Sequence, residues 1–142
     1  MVAKQLSVFI ENRQGRLGEV LSVLKTNKIN ILSLSLADTT EYGLLRLIVS
    51  DAVSGKQKLA EEGFSTMLTN VIVLNINHEA GSLQDLLSLL ADNDINVEYM
   101  YGLSISGSQA SVVLKASDLE KADKVLAENG VQTLSDADIS KL

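Results

Sequence analysis

The sequence predicts an α+β fold in which one βαββαβ unit occurs twice in tandem, and three observations predict it. With a shift of 66 residues, eight of the sixteen positions from 15 to 30 are identical to those from 81 to 96. Apolar residues alternate along some segments, as in strands, and recur every three or four residues along others, as in helices. The 142 residues, 46% hydrophobic and 21% charged, suffice for two small globular units. The repeat period is therefore one structural unit.

The first repeat shows each element of this unit in order. Alternating apolar residues from Leu6 to Ile10 predict the first strand, and helical spacing from Leu17 to Leu24 predicts a helix that starts at Arg16. Asp51 is a suitable N-cap for the second helix, and Gly63 suits its left-handed end. The predicted strands of this repeat span residues 5–11, 31–37, 44–50 and 64–69, with a hairpin turn at 38–43.

The second repeat has the same order. Its predicted strands span residues 71–77, 97–105, 110–116 and 131–134, with a hairpin turn at 106–108. Capping-box patterns predict that its helices open at Ser82-Leu-Gln-Asp85 and Ser117-Asp-Leu-Glu120. We expect two domains, 1–70 and 71–142, joined by a connection too short to be a flexible linker. The tail at 135–142 is expected to be loosely attached.

This order is the ferredoxin-like arrangement, an antiparallel sheet with both helices on one face. Strict alternation then assigns the other, open face of each sheet. In the first repeat it would be apolar, with Phe9, Leu32, Leu34, Leu36, Leu44 and Ile48. In the second it would be polar and solvated, with Asn75, Glu98, Ser104, Ser111 and Lys115 around Val73, Met100 and Val113, while Tyr99 and Tyr101 would face the helices. Because an apolar patch is usually covered, we expect the first open face to be buried in a homodimer.

Composition excludes several classes of function. The net charge of −6 argues against nucleic-acid binding, which depends on Lys and Arg, and the lack of cysteine excludes disulfides and thiolate metal sites. No apolar run approaches the ~20 residues that span a bilayer, and the N-terminus lacks the apolar core of a signal peptide. We therefore predict a cytoplasmic protein without membrane contact, metal or cofactor.

Two short motifs resemble those of the ACT domain family. The turn Asn12-Arg-Gln-Gly15-Arg-Leu17 and the strand opening Ile29-Asn30-Ile31 resemble its Asp/Asn-x-Pro-Gly-x-Leu and Gly-Val/Ile-Asn-Ile patterns. His78-Glu-Ala-Gly81-Ser-Leu83 and Ile95-Asn96-Val97 repeat the match. The sequence departs from the family where Gln14 and Ala80 replace the proline, and where His78 replaces the first Asp/Asn. The two loops therefore need not bind the same ligand.

The resemblance implies a regulatory module, not an enzyme, that binds a free amino acid where two ACT domains meet. Such domains often pair side by side into one eight-stranded antiparallel sheet, and the ligand contacts the first loop of one domain and the second strand of its neighbour. The implied ligand-binding residues are Asn12, Arg13, Gln14, Gly15, Arg16, Leu17 and Asn30, and then His78, Glu79, Ala80, Gly81, Ser82, Leu83 and Asn96. The regulated enzyme would be another polypeptide.

The chemistry of these residues supports the same reading. Backbone N–H groups at a helix start favour a carboxylate, glycine permits close approach, and asparagine both donates and accepts hydrogen bonds. Structural readings stay open beside this one, because Asn30 and Asn96 also suit a left-handed turn and His78 also suits a solvated loop. Arg16 in a first helical turn suggests a nearby anion.

Three other functions use the same topology. An acylphosphatase-like hydrolase would place Arg13 or Arg16 beside Asn30, but its glycine-rich loop is missing. An RNA-binding module would carry aromatic residues on the third strand, and residues 44–50 have none. An oligomerisation scaffold without a ligand is the alternative that the residues exclude least.

Overall fold

We describe a computed structural model that covers residues 1–38, 41–106 and 108–142. Residues 39, 40 and 107, in the two predicted hairpin turns, lie outside the described part of the chain. The described elements are β1 (Ala3–Glu11), α1 (Arg16–Thr26), β2 (Ile31–Asp38), β3 (Tyr42–Val49), α2 (Ala52–Glu61), β4 (Ser65–Asn77), α3 (Ser82–Asp92), β5 (Val97–Ser106), β6 (Gln109–Ala116), α4 (Leu119–Glu128), β7 (Gln132–Leu134) and α5 (Asp136–Ile139).

The chain forms two compact units. The first unit contains residues 4–69 and 139–142, and the second contains residues 70–138 and 1–3. β4 runs without a break from Ser65 to Asn77, so the predicted strands 64–69 and 71–77 are one strand and the described residues form seven strands. Thr69 and Asn70 do not interrupt it because neither is a proline or a glycine. The expected domain bounds, 1–70 and 71–142, stay a prediction.

The first unit places an antiparallel sheet against α1 and α2. Its strands are ordered β2-β3-β1, with Leu6 opposite Leu47 and Val8 opposite Leu45. These four side chains are fully buried. Between sheet and helices they form a core with Val20, Leu24, Ile29, Val49, Leu59 and Phe64.

The second unit repeats this construction with α3 and α4. Its strands are ordered β7-β4-β6-β5, with Ile72 opposite Leu114 and Leu74 opposite Val112. Its core contains Ile72, Leu74, Leu86, Leu90, Ile95, Leu114, Ala116, Ala122, Val125 and Leu126. Both units therefore have the helix-covered sheet that the sequence predicts.

A β-bulge in β2 makes our face assignment for this strand wrong. Ile31 pairs with Val49, but Ser33 pairs with Ile48, so Leu32 is an extra residue. Beyond it, Leu34 and Leu36 pair with Leu47 and Leu45, which face the helices. Paired residues of antiparallel strands share a face, so Leu34 and Leu36 lie on the helix side of the sheet, not on the open face. A bulge reverses the alternation on which the assignment rested.

The spacing around Gly43 supports this correction. A Cβ atom on Gly43 would lie 3.2 Å from both Ile10 Cγ1 and Leu36 Cδ1, so Leu36 faces the same side as Ile10. Leu34 and Leu36 are nevertheless 45% and 46% exposed. They are exposed because β2 pairs only with β3 among the described strands, and the core between the sheet and the helices lies mainly at β1 and β3.

The second unit contains the same bulge in β5. Val97 pairs with Ala116, but Tyr99 pairs with Lys115, which leaves Glu98 as the extra residue. Met100 then pairs with Leu114 on the helix side, while Tyr101 pairs with Val113 on the open face. Our predictions for Met100, Tyr99 and Tyr101 were therefore reversed for the same reason. Leu32 and Glu98 are equivalent in the two repeats.

Burial of the open faces also differs from expectation. In the first unit, Gln5, Ser7 and Ile48 are buried without a second subunit, and Phe9 is 45% exposed. In the second unit, Val73 and Val113 are fully buried although we predicted a solvated face. The apolar open face of the first unit is thus smaller than predicted, because the bulge removes Leu34 and Leu36 from it.

The tail is more ordered than predicted. Residues 136–139 form α5, and Ile139 is buried. The Ser135 amide donates to Asp138 Oδ2 at 2.8 Å, and the Asp138 amide donates to Ser135 Oγ at 3.2 Å. This reciprocal capping starts the helix, and the buried isoleucine anchors it.

Candidate functional site

The two motif loops start their helices in the same unusual conformation. Gly15 caps α1 with φ 88°, and Gly81 caps α3 with φ 89°. A side chain is strained in this left-handed region, so the turn itself favours glycine. The duplicated glycines of the sequence are explained by this backbone geometry.

Matching hydrogen bonds hold the loops in place. The Asn12 amide donates to the Glu41 carbonyl at 3.0 Å, and the His78 amide donates to the Ser108 carbonyl at 2.7 Å. Beyond the glycines, the Glu19 amide donates to the Gly15 carbonyl at 3.0 Å, as Asp85 does to Gly81 at 2.9 Å. The loops are therefore structural equivalents, and their differences lie in the side chains.

Side-chain capping separates the motif helices from the other two long helices. Asp51 and Asp118 cap α2 and α4 by accepting hydrogen bonds, each at 3.0 Å, from the amides three residues on. The glycine caps of α1 and α3 supply no such oxygen. The Arg16 and Ser82 amides donate to the carbonyls of Arg13 and Glu79, but the next two amides of each motif helix have no acceptor among the described residues. A carboxylate is a suitable external acceptor for these amides.

Both predicted capping boxes of the second repeat are misplaced by one residue. Ser82 is the first residue of α3, which Gly81 caps, so it cannot cap the helix. Asp118, not Ser117, caps α4, and the Ser117 hydroxyl instead accepts a hydrogen bond from the Asn96 amide at 3.1 Å. Because Ser117 Oγ binds the amide of Asn96, the residue before β5, it does not cap α4.

Asn30 and Asn96 are not the left-handed residues of their turns. That conformation belongs to Lys28 with φ 57° and Asp94 with φ 59°. The Asn30 amide donates to Ser50 Oγ at 3.0 Å, and the Ser50 amide donates to the Asn30 carbonyl at 2.9 Å. The same bonds join Asn96 to Ser117, and both asparagines are exposed. The turn interpretation therefore gives no reason for an asparagine at these positions.

Within one unit the structure does not bring the loop and its asparagine together. Asn12 lies beside Glu41, before the start of β3, whereas Asn30 lies beside Ser50, after its end. Eight residues of strand separate these ends, or roughly 25 Å at about 3.3 Å per residue. His78 and Asn96 are separated in the same way along β6. Within one unit, a single small ligand therefore cannot contact both the loop and its asparagine.

The remaining predicted residues divide into exposed and packed ones. Arg13 donates to Glu11 at 2.9 Å and is exposed, and Gln14, Glu79 and Ala80 are also exposed. Leu17 packs against the first core, whereas its equivalent Leu83 is 42% exposed. The two loops therefore differ in apolar exposure as well as in Asn12 and His78.

The Arg16 side chain contacts two residues of its own unit, Phe64 and Glu19. Its guanidinium carbon lies 4.4 Å from the centre of the Phe64 ring, and Nη1 donates to Glu19. The side chain is only 19% exposed, and its Nε is buried without a hydrogen-bond partner among the described residues. The anion that we expected near this arginine is Glu19. Sequence reasoning missed Phe64 because a contact so distant in sequence leaves no local pattern.

The second unit has an open cleft of about 540 Å³ beside α3. Ser82, Asp85 and Leu86 form one wall, and Gly130 and Val131 form the other. At its rim, Asn75 Nδ2 donates to Gln132 Oε1 at 3.2 Å, Ser111 Oγ donates to Asn75 Oδ1 at 2.6 Å, and Gln109 Nε2 donates to Asn77 Oδ1 at 2.9 Å. The cleft was not predicted from the sequence. The sequence difference that could have indicated it is that Ser82 and Val131 stand where the first repeat has Arg16 and Phe64.

None of the described helices is long and apolar enough to cross a membrane. No protein with a curated description matches the chain.

Solved structures match the whole fold. The protein BT0572 from Bacteroides thetaiotaomicron is 37% identical, with 100% of this chain and 98% of that chain covered and a TM-score of 0.95. The regulatory subunit of aspartate kinase from Thermus thermophilus is 16% identical, with 92% and 97% covered and a TM-score of 0.61. The corresponding subunit from Thermus flavus is 18% identical, with 88% and 90% covered and a TM-score of 0.59. The two aspartate kinase subunits establish likeness of fold.

The family model of the ACT domain pair matches residues 1–142. Two glycine-capped helix starts, two equivalent asparagines and a repeated βαββαβ order agree with that match. The chain belongs to the ACT domain pair family.

Proposed function

We propose that the protein is a regulatory module that binds a free amino acid, with the ligand at the interface between ACT domains. The observation that carries this proposal is the difference in capping among the four long helices. Aspartate side chains cap α2 and α4, whereas α1 and α3 start at glycines without a side-chain cap, so the second and third amides of α1 and α3 suit an external carboxylate.

Each proposed site combines a motif loop with an asparagine of a neighbouring ACT domain. The amides after Gly15 or Gly81 bind the carboxylate, and the side chain of Asn12 or His78 binds the ammonium group or a polar side chain. The exposed Asn30 or Asn96 contributes its amide from the neighbouring domain. The distance between loop and asparagine within one unit supports this pairing across domains.

We further propose that the sites have unequal affinities. Asparagine offers an acceptor and two donors, whereas a neutral histidine offers one of each. Leu83 is also 42% exposed, whereas Leu17 is partly buried against the first core, so the second loop has more apolar surface for a ligand to cover. One site can then respond to a different concentration range from the other.

The proposed role is control of an enzyme on another chain, in the cytoplasm, where free amino acids are plentiful. The Thermus structures of similar fold are described as regulatory subunits of aspartate kinase, which supports a regulatory function. The acylphosphatase-like alternative needs Arg13 or Arg16 beside Asn30. The first unit places Asn30 at the opposite end of β3 and pairs Arg16 with Glu19, so the geometry disfavours that alternative.

A thermal-shift screen of the twenty amino acids tests the proposal. A ligand at 100 times its Kd stabilises the folded state by about 2.7 kcal/mol, so a binding amino acid raises Tm clearly. Asn12→Ala and His78→Ala are expected to reduce the shift unequally, while Asn70→Ala, an exposed asparagine outside both loops, leaves it unchanged. If none of the twenty raises Tm, amino-acid binding is wrong.

The same experiment bears on the scaffold alternative. We propose a homodimer in which a second copy covers Leu34 and Leu36, which are 45% and 46% exposed on the helix side of β2. A stable dimer that shows no thermal shift with any amino acid would favour an oligomerisation scaffold over a sensor.

A further inference from the structure

The cleft of the second unit occupies the place that Arg16 and Phe64 fill in the first. The two turns that border the cleft make the same backbone hydrogen bonds as the equivalent turns of the first unit. The Phe64 amide donates to the Leu59 carbonyl at 3.0 Å, and the Val131 amide donates to the Leu126 carbonyl at 3.0 Å. The Arg16 and Ser82 amides donate to the carbonyls three residues before them, at 3.4 and 3.2 Å. Backbone geometry is thus conserved between the units, and only the side chains change.

In the second unit the side chains that replace Arg16 and Phe64 are smaller, but the acidic residue of the arrangement is kept. Ser82 is much smaller than Arg16, and Val131 is smaller than Phe64. Asp85 stands at the position of Glu19, the carboxylate that pairs with Arg16. Within the described residues Asp85 makes no ion pair, and it is the only charged residue that lines the cleft. The second unit therefore has the anion of this arrangement without its cation.

The rest of the lining suits a cation with several N–H donors. The oxygen atoms of Ser82, Asn77 and Gln109 supply acceptors, and Leu86, Leu89 and Val131 supply the apolar part of the lining. The hydrogen bonds among the rim amides hold the acceptors in position. Planar guanidinium groups bind carboxylates through paired hydrogen bonds and stack well on flat or apolar surfaces.

We propose that this cleft binds a small molecule that carries a guanidinium group on an alkyl chain, where the first unit uses its own Arg16. The guanidinium lies beside Asp85, and the alkyl chain lies over Leu86, Leu89 and Val131. This site lies within one unit and is different from the amino-acid site proposed at the interface between ACT domains, although Ser82 borders both.

Isothermal titration calorimetry with agmatine tests the proposal on the full chain. Agmatine carries a guanidinium on an alkyl chain and has no carboxylate, so it lacks the group that the helix amides would bind. Asp85→Asn keeps the shape of the side chain and removes its charge, and it is expected to weaken binding at least about tenfold. Glu19→Gln, the same change at the equivalent position of the first unit, is expected to leave Kd unchanged.

A second variant fills the cleft instead of discharging it. Ser82→Arg combined with Val131→Phe rebuilds the arrangement of the first unit and is expected to abolish agmatine binding. Putrescine, which replaces the guanidinium by an ammonium group, is expected to bind at least about tenfold more weakly than agmatine. Circular dichroism checks that each variant folds, and Asp85→Asn alone carries the test if the double variant does not.

Three results would overturn the proposal: no heat of binding from agmatine at about 10 mM, well above a Kd of ~1 mM; equal affinity in Asp85→Asn and the unchanged protein; or equal affinity for putrescine and agmatine. Failure of the amino-acid site gives a different pattern. In that case arginine alone among the twenty amino acids raises Tm, through the cleft, and its shift is lost in Asp85→Asn and kept in Asn12→Ala. Agmatine binding then shows the same sensitivity to Asp85→Asn and the same insensitivity to Asn12→Ala.

Discussion

At the scale of single residues, equivalent positions of the two repeats serve different purposes. Gly15 and Gly81 have nearly the same φ and the same role as helix caps. Arg16 and Ser82 make the same backbone hydrogen bond, but their side chains differ in size and contacts. The guanidinium of Arg16 is held by Glu19 and the Phe64 ring, and the hydroxyl of Ser82 leaves that volume open. Identity between repeats marks backbone requirements, and difference marks the places where the units acquired separate properties.

The glycine caps give the first prediction. Gly15→Ala and Gly81→Ala are each expected to lower the free energy of unfolding by about 1–2 kcal/mol, because an L-residue is strained at this φ. A Cβ atom at either position would meet no atom within 4 Å, so conformation alone causes the loss. Urea denaturation measures it. Gly18→Ala is the control, since Gly18 is helical with equally open surroundings, and it is expected to be neutral or stabilising. Equal losses at all three glycines would contradict this explanation.

The contact between Arg16 and Phe64 gives the second prediction. A double-mutant cycle with Arg16→Ala and Phe64→Leu is expected to show a coupling free energy of about 0.5–2 kcal/mol, the range of cation–π pairs at exposed to desolvated sites. Chemical denaturation of the four proteins supplies the cycle. Arg13→Ala removes an exposed ion pair with Glu11 and is expected to change stability by less than about 1 kcal/mol. A coupling indistinguishable from zero would show that stacking contributes nothing here.

At the scale of elements, the helices differ in how they begin and the edge strands in how they are paired. α2 and α4 start at aspartate caps and are closed to ligands at their N-termini, while α1 and α3 are open. β2 and β5 share a bulge near the start, at Leu32 and Glu98, and β5 has a second register shift between Gly102 and Ser104. The bulge turns Leu34 and Leu36 toward the helix side and Tyr101 toward the open face.

The caps give the third prediction. Asp51→Ala and Asp118→Ala are each expected to cost about 1 kcal/mol, because the first-turn amides of α2 and α4 lose their acceptor. Ser82→Ala, which changes a serine that the sequence suggested as a cap, is expected to leave stability unchanged within about 0.5 kcal/mol. Thermal or urea unfolding compares the three variants. A loss at Ser82 as large as that at Asp118 would mean that the serine does cap α3.

At the scale of the whole molecule, the exposed apolar side chains indicate where a second copy would bind. Leu34→Lys with Leu36→Lys is expected to shift the protein from dimer to monomer, because two charges would replace side chains that we propose to be covered. Light scattering after size exclusion measures the mass. Val53→Lys is the control, since Val53 is 56% exposed but lies on α2, away from β2. A monomeric unchanged protein, or a mass unaffected by the lysines, would refute a dimer through this strand.

Much of this organisation is written in local patterns of the chain. The 66-residue period, the alternation from Leu6 to Ile10, the helical spacing after Gly15 and the Asp51 cap each depend on residues close in sequence, and each is found in the structure. Glycine at a helix start, repeated at the same place, identifies both motif loops because only glycine adopts that φ without strain.

Tertiary structure decided what such patterns cannot encode. One inserted residue at Leu32 reverses the later side chains of β2. The one at Glu98 reverses those of β5 as far as a second register shift between Gly102 and Ser104, and the alternation of the sequence shows neither insertion. Burial of Ile48, Val73 and Val113, and the stacking of Arg16 on Phe64, depend on residues brought together from distant parts of the chain. The cleft of the second unit is lined by Ser82 and Val131, which are smaller than Arg16 and Phe64 in the first unit and lie far apart in the chain, so only folding brings them together.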